Sequence, residues 1–122
     1  MMDLKWKAKW IAALRSGDYE QCTGRLHLKD DGFCCLGVLC DIFNKGAWVD
    51  PTIEKPDNMV YAKKKTGDCG NVDVLPVFVY EDVALSTNNP LVKMYVGEET
   101  LAELNDAGLT FADIADIIEE QL

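Results

Sequence analysis

What the chain lacks does the first sorting. No stretch of its 122 residues approaches the ~18 consecutive apolar residues of a membrane-spanning helix. The opening Met1-Met2-Asp3-Leu4-Lys5-Trp6-Lys7 has no apolar signal region, so the protein is expected to stay in the cytoplasm that makes it. Basic residues are scarce: 12 Lys and Arg stand against 21 Asp and Glu, for a formal net charge of -9. Nucleic-acid affinity rests on Lys and Arg replacing condensed counterions, so direct DNA or RNA binding is not expected. The phosphate-loop pattern G-x-x-x-x-G-K-[ST], the G-x-G-x-x-G fingerprint after a strand, the H-E-x-x-H zinc motif and a serine in G-x-S-x-G are all missing. There is one histidine, His27. Internal repeats, low-complexity tracts and composition breaks are also missing, so residues 1–122 read as one domain.

Hydrophobic residues make up 48% and charged residues 27%, the usage of an ordinary globular domain rather than a disordered chain. The charge is uneven. Met1 to Lys29 holds six bases (Lys5, Lys7, Lys9, Arg15, Arg25, Lys29) against three acids, whereas Gly97 to Leu122 holds eight acids and no base. This predicts a basic end and an acidic end. The acidic side, with Glu98, Glu99, Glu119 and Glu120, is either a solvated surface or a face that meets a basic partner by imitating nucleic acid.

Helical spacing is clearest near the start. Trp6, Trp10 and Leu14 recur every four residues with Ile11 and Ala13 beside them, which predicts a helix over Asp3 to Ser16, stopped by Gly17. Arg25 to Leu28 alternates like a short strand, and Asp30-Asp31-Gly32 has turn composition. Phe33 to Phe43 is apolar almost all round and too long for a typical strand, so a buried central helix is expected there. Gly37 inside it predicts a close approach by a neighbouring element, because glycine otherwise costs helix stability. Ala47 to Gly70 reads as loop with a strand at Met59 to Ala62, and Asn71 to Leu75 as another strand. Further elements are expected as a helix over Val77 to Val83 after Pro76, a turn at Ser86 to Pro90, a strand over Leu91 to Val96 and a helix over Glu98 to Asp106. A last helix is capped by Thr110, with Phe111, Ile114, Ala115 and Ile118 on its apolar face. The layout is α+β: several helices packed around a small antiparallel sheet, with a buried central helix.

Five cysteines without a secretion signal predict reduced thiols and no disulfide. Cys34 and Cys35 are adjacent and Cys40 lies five residues beyond Cys35, a spacing unlike zinc-ligand pairs, so no metal or cofactor is assigned. A sharper alternative is thiol catalysis. Cys35 sits near a helix start, where the positive end lowers a thiol pKa, with His27 as base and Asp41 as orienter. The segment Phe33-Cys34-Cys35-Leu36-Gly37-Val38 loosely resembles the nucleophile helix of small papain-like peptidoglycan hydrolases, which place their histidine after the cysteine; here His27 precedes it.

The principal binding candidate lies at the basic end. Arg15-Ser16-Gly17-Asp18-Tyr19-Glu20-Gln21 leaves a helix into a loop carrying guanidinium, phenol and amide, with Lys9 about two turns back and Arg25 on the next strand. Lys9, Arg15, Tyr19, Gln21 and Arg25 therefore form the candidate site for a small anionic, nucleotide-type ligand. The same residues also suit plain structural roles, with Arg15 capping carbonyls and Tyr19 packing.

The stretch Lys9 to Gly17, then Tyr19-Glu20-Gln21 and Gly24-Arg25-Leu26, then Phe33-Cys34-Cys35-Leu36-Gly37-Val38-Leu39-Cys40-Asp41, resembles a family of small hypothetical proteins encoded by tailed bacteriophages and prophages. Leu101-Ala102-Glu103-Leu104-Asn105-Asp106 and Phe111-Ala112-Asp113-Ile114-Ala115 are similar to that family too. The resemblance implies origin and the host cytoplasm as workplace, and it brings no catalytic residues. By association it implies a non-enzymatic accessory protein acting against host defence. Two modes are open: sequestering a nucleotide-type signal or occupying a host defence protein, with a homo-oligomer compatible with either.

Overall fold

The computed structural model describes residues 2–28, 32–44, 46–49, 58–63 and 74–122. The protein is α+β, with an element order of α1 (Leu4–Arg15), β1 (His27–Leu28), β2 (Gly32–Phe33), α2 (Cys35–Phe43), β3 (Gly46–Val49), β4 (Asn58–Lys63), α3 (Val77–Asp82), β5 (Leu91–Lys93), β6 (Glu98–Thr100), α4 (Leu101–Asp106) and α5 (Phe111–Gln121). Strands β2-β1-β4-β3 form one antiparallel sheet in that order, and β5 and β6 form a separate antiparallel hairpin.

Helix α1 starts where Asp3 accepts a hydrogen bond from Trp6 N at 3.0 Å and ends before Gly17, whose φ of +79° suits glycine. Its Trp10 and Leu14 are buried, and the Trp10 indole donates to Cys35 O at 2.9 Å. That bond ties α1 to α2 while satisfying a polar atom in the core.

Helix α2 is the buried centre, and all its residues except Asp41 and Ile42 are buried. Gly37 is explained by the predicted close approach: a Cβ there would overlap the carbonyl group of Leu26. Leu26 O in turn accepts from Cys34 N at 2.9 Å, so the backbone ahead of β1 lies directly on the helix start. The predicted helix over Phe33 to Phe43 begins two residues later, because Phe33 is taken by β2 and Cys34 is the N-cap.

Helix α5 carries a complete capping box, with Thr110 and Asp113 bonding each other's backbone N–H at 3.2 Å. It packs against α1. The basic and acidic ends of the sequence are therefore adjacent helices rather than opposite poles. Arg15 joins them through Asp116 and Glu119, each at 2.6 Å.

Several expectations need correction. The strand at Arg25 to Leu28 is only His27–Leu28, and the region from Ala47 holds a strand, β3, paired in full register with β4 from Gly46↔Lys63 to Val49↔Val60. Val74 and Leu75 lie outside any strand: Leu75 N donates to Asn88 O at 3.0 Å, a loop contact. The strand over Leu91 to Val96 stops at Lys93, since Met94 N turns to Gly97 O at 2.9 Å. The helix expected from Glu98 begins at Leu101. Glu98, Glu99 and Thr100 pair with β5 instead, and Thr100 caps α4 by accepting from Glu103 N at 3.2 Å. The expected turn residues Asp30 and Asp31, the expected strand residues Asn71 to Asp73, Lys29, and most of the loop expected up to Gly70, with Cys69, lie outside the described residues.

Candidate functional site

The five residues proposed for ligand binding each reach a different place. Lys9 Nζ sits 4.7 Å from the ring centre of Trp6, a cation–π contact on α1. Arg15 spends its guanidinium on Asp116 and Glu119, and these hydrogen bonds raise its pKa further. Tyr19 donates its phenol proton to Asp41 Oδ2 at 2.6 Å. Partial burial first, and the neighbouring carboxylate second, push its pKa up. Gln21 donates through Nε2 to Asn105 Oδ1 at 2.9 Å and Leu109 O at 2.8 Å. Arg25 donates through one guanidinium nitrogen to Gly24 O at 2.6 Å, while its buried Nε has no hydrogen-bond partner among the described residues.

Arg25 lines a cavity of about 120 Å³, with Gly24, Cys34, Val74, Asn89, Ala102, Glu103 and Asp106 around it. Drug-sized ligands and cofactors occupy pockets of roughly 300–1,000 Å³, so this one has room for a small ion or a few waters and not for a nucleotide. Asp106 already accepts from Gly24 N at 2.8 Å, and Glu103 accepts from the Thr100 hydroxyl at 2.9 Å.

The residue that holds this region together was not legible as such. Asn105 is fully buried on α4. Its Oδ1 accepts from Gln21 Nε2 and from Cys35 N at 3.2 Å, and its Nδ2 donates to Cys22 O at 2.8 Å. One amide thus fixes the loop after α1, the first turn of α2 and its own helix. In sequence it looks like one more polar residue in a helical run.

The described thiols are core groups: Cys22, Cys34, Cys35 and Cys40 are all buried. Burial pushes the Cys34 thiol up to about 12 and raises Cys35 and Cys40 well above the ordinary thiol range. The helix start that was expected to activate Cys35 is outweighed by desolvation, and its Sγ faces Leu101 O at 3.6 Å. His27 bonds Gly32 O through Nδ1 at 2.7 Å and stacks on Phe33 at 3.9 Å, while Asp41 receives Tyr19 and the Trp48 indole. Nucleophile, base and orienter are each committed elsewhere, so the geometry gives the hydrolase reading no support. Among the described residues no group of three or more His, Cys, Asp or Glu could hold a metal ion, and no helix is long and apolar enough to cross a membrane.

The acidic residues do not form one uniform array either. Glu119 is engaged by Arg15. Glu103, held down by the Thr100 hydroxyl and then by Glu99, shares a hydrogen bond with Glu99 that raises the latter's pKa.

A small α+β domain with a thiol-rich core and one inward-facing amide junction is what the fold and its polar residues define. The chain belongs to a family described as a domain of unknown function, DUF8296, whose model matches residues 2–122. No curated protein and no solved structure matches it.

Proposed function

We propose that the chain is a non-enzymatic phage accessory protein that works in the host cytoplasm by binding a host-made target, with counter-defence as its purpose, and that this target is a protein. The phage origin is supported by the resemblance carried by Lys9 to Gly17, Phe33 to Asp41 and Leu101 to Asp106. One observation carries the choice of a protein target. The polar groups that would have recognised a nucleotide are turned to internal partners: Arg15 to Asp116 and Glu119, Tyr19 to Asp41, and Gln21 to Asn105. Recognition is then left to the surface. A second reading, capture of a small anionic signal, is favoured by the Arg25 Nε, unpartnered among the described residues, at the 120 Å³ cavity.

Two measurements separate the readings. Producing the protein in a defended host should raise phage plating efficiency, and Arg25→Ala should leave that effect in place. Calorimetry of the purified protein against cyclic and ADP-ribose-type nucleotides and inorganic phosphate should give no heat. Heat that Arg25→Ala abolishes would transfer the function to signal sequestration, and a protein without effect on plating would remove counter-defence.

A further inference from the structure

The hairpin of β5 and β6 carries residues that its own geometry does not call for. Between Lys93 and Glu98 the chain turns through Met94, Tyr95, Val96 and Gly97, closed by the Met94 N to Gly97 O bond. Gly97 has a φ of +75°, the left-handed conformation that glycine adopts without strain. The two residues at the tip are a tyrosine and a β-branched valine, where tight turns favour Asn, Asp, Ser, Gly and Pro. Tyr95 is fully exposed and Val96 is 83% exposed. Neither belongs to the core or packs on it. Adjacent apolar residues displayed at a turn, against local preference and with no packing gain, mark a place where something other than folding chose them.

The hairpin is also held still. Gln121, at the end of α5, accepts from Lys93 N through Oε1 and donates through Nε2 to Lys93 O, both at 2.7 Å. This amide copies the pairing of a neighbouring strand. It satisfies the outer edge of β5 where a two-stranded ribbon is otherwise marginal. Below the tip, Val92 is buried and Met94 packs against the core. The exposed pair is therefore presented on a fixed support, which lowers the ordering cost of an association.

We infer that Tyr95 and Val96 are the anchor by which the protein docks on a host protein, entering an apolar pocket rimmed by Lys or Arg. The inference rests on the protein-binding reading above and adds its surface and its partner's chemistry. Aromatic side chains at the centre of a contact dominate interface energies, with tyrosine among the most frequent. Charge selects the rim. Glu98 and Glu99 follow the tip on β6, and the one base of the hairpin, Lys93, is paired with Glu98. A basic rim is steered toward that surface, whereas nucleic acid and a second hairpin of the same kind are repelled.

The test places a photo-crosslinking p-benzoyl-phenylalanine at Tyr95 in host cells making the full chain, with Leu4 and Val77, two exposed apolar residues elsewhere, as control positions. The expected result is a single host protein attached from position 95, through a peptide that carries apolar residues beside Lys or Arg. The purified pair should then bind at least tenfold more weakly with Tyr95→Ala, and also with Glu98→Lys plus Glu99→Lys, while the thermal midpoint stays put. Attachment to a second copy of the chain, attachment to a peptide without basic neighbours, or binding indifferent to Tyr95→Ala would each overturn the inference. Attachment from Leu4 or Val77 but not from position 95 overturns this surface while leaving protein binding intact. No attachment from any of the three, with calorimetric heat from a nucleotide, overturns both.

Discussion

Helix α2 and the β5–β6 hairpin stand at opposite extremes of constraint. In α2 and its N-cap, burial and contacts account for the residues: Gly37 meets the Leu26 carbonyl, the Cys35 backbone bonds Trp10 and Asn105, and Cys34 N bonds Leu26 O. At the hairpin tip the backbone is accounted for, by Gly97 and by the Gln121 clamp, but the side chains of Tyr95 and Val96 are not. The contrast teaches where to look for activity. Residues that packing explains report on stability, and residues that packing leaves unexplained are the ones free to serve a partner.

High pH should strain the buried side of this comparison most. Cys34, Cys35 and Cys40 have pKa values raised by burial, whereas the same thiols in the unfolded chain ionise near ~8.5. Their contribution is fully present below ~8.5 and is lost as pH climbs toward the folded values, by about 1.4 kcal/mol per pH unit for each thiol. Tyr19, also raised, adds to the loss above ~10. Urea unfolding at pH 7 and pH 10 should show the drop, and equal midpoints would contradict a sealed thiol core.

Gly37→Ala comes next, with an expected loss of about 3 kcal/mol, because the new methyl must displace the Leu26 backbone and with it the Cys34 bond. A variant as stable as the parent would show that α2 and the chain ahead of β1 are not in close approach. Asn105→Ala should cost about 2 kcal/mol, since it removes the acceptor of the buried Cys35 N and the donor to Cys22 O. Chemical denaturation measures it, and hydrogen exchange at the Cys35 amide should rise in parallel.

The effect on stability shrinks at the surface. Arg15→Ala removes two exposed ion pairs, so a slight loss is expected at low salt and none at high salt, where exposed charges are screened. A salt-independent loss would mean that Arg15 is a packing residue. Tyr95→Ala should change stability by less than about 0.5 kcal/mol at low and high salt alike. A larger loss would place the tip among the residues that packing explains and would erase the contrast.

Much of the helical framework was legible in the sequence, because α1 and α5 bury stripes that repeat within the segment itself and α2 is one continuous apolar run. The Gly37 approach was legible for a similar reason: a glycine inside an apolar helix needs a neighbour. The short strands were not. Glu98 to Thr100 has helical composition and becomes a strand only through β5, and β3 depends on β4. The partners of the candidate site residues were hidden in the same way. Arg15, Tyr19 and Gln21 advertise donors, but their acceptors lie between 22 and 104 positions away, which no local pattern encodes. Tyr95 and Val96 read as strand because aromatic and β-branched residues favour strands, so the turn concealed them.

The packing of α1 on α5 also sets a timetable. The bond from Arg15 to Asp116 spans 101 positions, so α1 leaves the ribosome long before the helix that covers it exists. At roughly 5–20 residues per second, the nascent chain waits about 5–20 s with part of the α1 apolar stripe uncovered. Slower synthesis or a smaller chaperone supply is then expected to lower how much folded protein a cell accumulates.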